Sequence, residues 1–108
     1  MNSATFEGAV DSRGWKLQYL PSGKKLWTKK GRFSVNLEGN AWGGGKVTDY
    51  PEGTTSESVI IAMSAVSNDN AISVSVGPVS NQIKYSVHNA YGSAVSANID
   101  WGAIVIEA

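Results

Sequence analysis

The chain has 108 residues, enough for one domain with its own core. Nine basic and nine acidic residues cancel, which removes bulk attraction to nucleic acid, and the lack of cysteine removes disulfides and zinc–thiolate sites. No apolar run approaches the ~20 residues that a helix needs to cross a bilayer, and 12 glycines among many Ser, Asn, Val and Ile residues point to an all-β chain rich in turns.

Residues 1–13 show no periodicity beyond Phe6, Ala9 and Val10 and are expected to be an edge strand or a lead-in segment, without the charged and apolar regions of a signal peptide. The folded domain is expected over 14–108. Its first element states its own geometry: Trp15, Leu17 and Tyr19 alternate with Lys16, Gln18 and Leu20 at the period of a half-buried strand. Pro21-Ser22-Gly23 supplies the turn, and Lys24–Lys30 returns with Leu26 and Thr28 on one face and Lys25, Trp27 and Lys29 on the other. A β-hairpin is the expectation. Arg32–Glu38 then alternates Phe33, Val35 and Leu37 inward with polar residues outward.

Gly39–Gly45 reads as a loop, and a tryptophan, Trp42, inside a glycine run has no neighbouring side chains to bury it. Lys46–Tyr50 is a short strand and Pro51-Glu52-Gly53 a turn. Glu57–Val66 is apolar on both faces, Val59, Ile61, Met63 and Ala65 on one and Ile60, Ala62 and Val66 on the other. Its β-branched content favours a central strand over a helix. Ala71–Val76 and Gln82–His88 alternate again, the second with Ile83, Tyr85 and Val87 opposite Lys84, Ser86 and His88. Asn89–Ser93 is a loop carrying Tyr91, and Asn98–Glu107 ends the chain as a strand apolar on both sides. About eight short strands with turns every eight to twelve residues define a single antiparallel β-sandwich or barrel. Strands with two apolar faces leave one face to be covered, either by loops or by further copies of the chain.

Gly14-Trp15…Tyr19-Leu20-Pro21-Ser22-Gly23…Leu26-Trp27, followed near the end by Trp101-Gly102-Ala103-Ile104, resembles the C-terminal domains of bacteriophage tail-fibre proteins. Those domains commonly open with a tryptophan strand and a leucine–proline–x–glycine turn and close with a short Trp-x-Ala-Ile strand. The returning strand here, Lys24–Lys30, is more basic than the usual aliphatic run. The resemblance implies a compact β domain, a homotrimer, at the tip of a fibre in the virion and assembled in the host cytoplasm. It implies attachment to a saccharide or protein of the bacterial surface.

The residues themselves favour binding over catalysis. His88 is the only histidine, nothing near it resembles a nucleophile elbow, and the carboxylates lie mostly near turns. Asn68-Asp69-Asn70 offers oxygen ligands without the spacing of a calcium loop, so no metal or cofactor is expected. Sugars stack their C–H faces on aromatic rings and pair their hydroxyls with amides and charged groups. Trp42 with Asn40 and Lys46, Tyr91 with Asn89, and Tyr50 with Asp49 offer that combination, while Trp42 folded back over the core edge is the alternative. Trp15 and Trp101 are expected in the core. Trp27 sits among Lys24, Lys25, Lys29, Lys30 and Arg32, either as an exposed ring framed by cations or on an edge strand that lysines keep from aggregating. The expected function is non-enzymatic adhesion to a bacterial cell-surface glycan. The alternatives are a structural fibre or baseplate module without a ligand, and a carbohydrate-binding module of a secreted hydrolase.

Overall fold

A computed structural model of the chain describes residues 7–66 and 72–108. They form β1 (Lys16–Tyr19), β2 (Lys25–Leu37), β3 (Trp42–Asp49), β4 (Val59–Val66), β5 (Ile72–Val79), β6 (Gln82–Asn89) and β7 (Val95–Ile106). All pairings are antiparallel, in a four-stranded sheet ordered β1-β2-β7-β4 and a three-stranded sheet ordered β3-β6-β5. The all-β sandwich expected from the alternation is therefore what forms, with seven strands among the described residues rather than eight. The Asn68–Asn70 turn lies outside the described residues.

The strand count falls because the runs on either side of Gly31 are one strand. β2 is 13 residues long and pairs with β7 from Leu26↔Ile106 to Leu37↔Val95. At about 3.3 Å per residue it spans ~43 Å, which sets the long dimension of a 50 × 25 × 23 Å body. Gly31 keeps the strand continuous beneath an indole: a Cβ there would stand 2.9 Å from Trp101 Nε1.

The core runs along this length in two parts. One holds Trp15, Leu17, Trp27, Tyr50, Ile83, Ala103 and Val105; the other holds Val35, Leu37, Ile72, Val87, Ala97 and Ile99. Phe33 and Tyr85, with ring centroids 4.5 Å apart, lie on the second part, and Trp101 packs against the first. Residues 9–11 belong to the body, because Leu17 N donates to Ala9 O at 2.8 Å and Ala9 is buried. The Asp11 carboxylate accepts the Trp15 and Arg13 amides at 2.9 Å, and Trp15 Nε1 donates to Asp49 O at 2.9 Å, which ties the two sheets together.

Three expectations are corrected. Trp27 is 5% exposed and faces Leu17 and Val105, so it is neither a framed surface ring nor an edge residue. β1 covers β2 only from Lys25 to Thr28, so Lys25 lies inside the sheet, while beyond Thr28 the strand pairs with β7 alone and Lys30 and Arg32 do lie along an open edge. Alternation sends the basic residues of β2 to both faces: Lys29 Nζ turns in to Thr48 Oγ1 at 2.7 Å and Arg13 O at 2.6 Å, while Arg32 pairs on the outer face with Asp100 at 2.6 Å. The glycine run is not a loop either, because Trp42–Gly45 is the first half of β3. Gly43 and Gly45 face inward against Leu37 and Tyr85, where added Cβ atoms would sit 3.1 Å from those side chains.

The two-faced strands resolve by register. Ile60, Ala62 and Val66 of β4 face the core, and Val59, Ile61 and Met63 face out, 45–60% exposed. They lie in cross-strand rows with Ile106, Ile104 and Gly102 of β7 and with Leu26, Thr28 and Lys30 of β2. Further along the same face the rows turn polar, with Arg32–Asp100, Ser34–Asn98 and Asn36–Ser96 each hydrogen-bonded across the strands.

Candidate functional site

The outer face of the β3-β6-β5 sheet carries the site. Cross-strand register arranges it in rows: Trp42, His88 and Ser73; then Gly44, Ser86 and Ser75; then Lys46, Lys84 and Gly77. Alternation fixes the orientation, since Ile83, Val87 and Asn89 between them are buried. Trp42 is 73% exposed and stacks on the His88 ring with centroids 4.1 Å apart and planes 26° from parallel. The indole does not cover the core. It is a platform braced from one side, with its other face to solvent.

The middle row is built of small residues, a glycine and two serines, between an aromatic row and a cationic one. The result is a shallow trough crossing the three strands. Rows two residues apart on a strand are separated by roughly 6.8 Å, so the indole and the lysine row stand roughly 13–14 Å apart. A β-bulge between Lys46 and Thr48 inserts one residue, which brings Lys46 and Asp49 to the same face. Their ion pair measures 2.9 Å, and the Lys46 ammonium holds the Asp49 carboxyl below its ordinary value of 3.8. Among the described residues no carboxylate pairs with Lys84.

At the Trp42 end two loops are locked against each other. Asn40 N donates to Tyr91 O at 2.8 Å, and Asn40 takes a φ of 61°, which a short amide side chain tolerates. Gly39 lies so close to Gly92 that a Cβ would stand 2.4 Å from its backbone. Beneath both loops sits Asn89, fully buried. Its Nδ2 shares its two hydrogens among Leu37 O (3.2 Å), Glu38 O (3.1 Å) and Ser93 O (2.9 Å), and its Oδ1 accepts Tyr91 N (2.9 Å). One carboxamide thus fixes the end of β2, the approach to Trp42 and the Tyr91 loop.

The expected site residues therefore divide. Trp42, Asn40 and Tyr91, the last 48% exposed, come together at one end of the sheet, and Lys46 closes the trough beyond them. Asn89 is corrected from a ligand contact to a buried brace of that end. Tyr50 is corrected as well: it is 6% exposed in the other part of the core, its hydroxyl donates to Val79 O, and burial raises its pKa above 10.0. Trp27 lies in the same core. Sequence reasoning missed His88, Ser86, Ser75 and Lys84 as members of the site. The polar face of Gln82–His88 was the available signal, but only the β3–β6 and β5–β6 registers show that it adjoins Trp42.

No family model, curated protein or solved structure matches this chain. Among the described residues no group of three or more His, Cys, Asp or Glu side chains is placed to hold a metal ion, and no helix is long and apolar enough to cross a membrane.

Proposed function

We propose that this domain is a non-enzymatic binding module that holds a saccharide on the outer face of its β3-β6-β5 sheet. One observation carries the reading: an indole 73% exposed, braced by His88 and followed by a trough of glycine and serine. An apolar ring of this size left in water serves as a contact surface for a partner's apolar face. Serine hydroxyls and the Asn40 amide would meet the sugar's hydroxyls. The resemblance of the Trp15–Trp27 hairpin and the Trp101–Ile104 strand to tail-fibre tips adds the setting: attachment of a virion to a bacterial surface glycan. Shallow sites of this kind bind weakly one at a time and gain strength from multivalency.

The apolar half of the other outer face supports assembly. Val59, Ile61, Met63, Ile104, Ile106 and Leu26 form one patch across three strands, on an edge strand β4 that carries no charge. Copies of the chain would cover it, a homotrimer being what the tail-fibre resemblance implies. This patch also favours the second reading, a structural fibre module in which it is the whole interface.

Glycan-array and bacterial-cell binding of the wild type, Trp42→Ala and Tyr91→Ala decide between the two. The binding module predicts that Trp42→Ala loses about 2 kcal/mol, roughly thirtyfold in affinity, as an aromatic hot spot does. Its thermal stability should hardly change, because the ring contributes nothing to the core. Undiminished binding in both variants removes the site, and absence of any glycan or cell binding by the wild type leaves the structural module.

A further inference from the structure

Resting on the saccharide reading, we infer that the ligand is acidic: the trough places a sugar ring on Trp42 and a carboxylate or phosphate substituent against Lys84 and Lys46. The geometry points there because Lys46 and Lys84 are direct cross-strand partners on the outer face. Like charges opposite each other destabilise an antiparallel pair. Among the described residues the cost is relieved on one side only, by the Lys46–Asp49 ion pair at 2.9 Å. Among the described residues Lys84 meets no carboxylate, so its charge is left for a ligand. The chain as a whole is neutral, with nine basic and nine acidic residues, so this is a local arrangement and not the overflow of a basic protein.

The rows between the two ends support one continuous ligand. Gly44, Ser86 and Ser75 present no bulk between the indole and the ammonium groups. A neutral sugar on Trp42 alone would leave the lysine row unused, and an anion on the lysines alone would leave the braced indole unused. An acidic oligosaccharide uses both, with serine hydroxyls and Gln82, which pairs with Asp49 in the next row, along its path.

The test is an array of bacterial oligosaccharides printed as matched pairs, uronates against their methyl esters and phosphorylated against dephosphorylated forms. It is probed with wild type, Lys84→Gln and Trp42→Ala. The acidic member of a pair should bind about fivefold more tightly at low salt, with the preference shrinking as salt is raised. Lys84→Gln should erase the preference, so that acidic and neutral members bind alike, with the melting temperature held or raised. Trp42→Ala should lose both members. The carboxylate and phosphate arms tell which anion is read. Equal binding of acidic and neutral members that depends on Trp42 overturns this inference and leaves the saccharide reading standing. Binding of the acidic members that survives Trp42→Ala is charge attraction alone and also overturns it. No binding of any member by the wild type overturns both.

Discussion

Replacing Asn89 by alanine tests whether the binding end is held by one buried amide. The side chain is fully buried and makes four hydrogen bonds, one to the buried Leu37 carbonyl and three to Glu38 O, Ser93 O and Tyr91 N at the core's rim. Stranding a buried carbonyl costs about 1–3 kcal/mol, and each rim bond contributes about 0.5–1 kcal/mol where water can partly replace it. The sum is about 2.5–6 kcal/mol, a large part of the ~5–15 kcal/mol available to a domain of this size. Urea unfolding should show a lower midpoint with an unchanged slope, and the melting temperature should fall by about 10–25 °C. Asn89→Asp should do no better, because one carboxylate oxygen keeps the acceptor for Tyr91 N but the other replaces Nδ2 and turns its lone pairs towards three carbonyls. Loss of glycan binding should accompany both, since the Trp42 approach and the Tyr91 loop share this brace. A loss below about 1 kcal/mol in Asn89→Ala would refute the reasoning, for it would mean the loops hold their places through Gly39 and Asn40 alone.

Further outcomes follow from single contacts. Gly39→Ala must push a methyl to 2.4 Å from the Gly92 backbone, so chemical denaturation should show a loss of about 2 kcal/mol or more. Tyr50 has a raised pKa, so its contribution to stability is complete below pH 10.0 and lost as pH rises through the higher folded value. Tyr50→Phe should flatten that alkaline decline and cost about 1 kcal/mol at neutral pH by losing the bond to Val79 O. Arg32 holds Asp100 below 3.8, so this pair's small, salt-screened support should vanish as pH falls through the depressed value, a decline missing from Asp100→Asn. Ile61→Lys with Met63→Lys should leave the fold intact and abolish any self-association seen by sedimentation; an oligomer that persists puts the interface elsewhere.

The alternation of single strands was plain in the sequence, from Phe33-Val35-Leu37 to Ile83-Tyr85-Val87, and so was the hairpin around Pro21–Gly23. Burial direction was harder where polar and apolar signals conflict. In Lys25-Trp27-Lys29 the two lysines suggest an outer face, yet the indole's large apolar area decides, and Lys29 can follow it inward because Arg13 O and Thr48 Oγ1 receive its ammonium. The glycines of β3 read as a loop because their reason is non-local: Gly43 and Gly45 make room for Leu37 and Tyr85, which come from other strands. The same holds for the site. Trp42 announced itself, but its bracing by His88 and its alignment with Ser86 and Lys84 depend on a register that pairs residues about forty positions apart. Asn89 was misread because an amide in a loop after a strand looks the same whether it faces a sugar or three carbonyls.

The central claim is that the indole of Trp42 is the contact surface, and ligand titration followed by ¹H–¹⁵N NMR tests it most directly. With the tightest saccharide from the array, the indole N–H of Trp42 and the amides of His88, Ser86 and Lys84 should shift together, while the indoles of Trp15 and Trp27 stay still. Shifts confined to the β4–β7 face, or a wild-type protein that no saccharide moves, would contradict it.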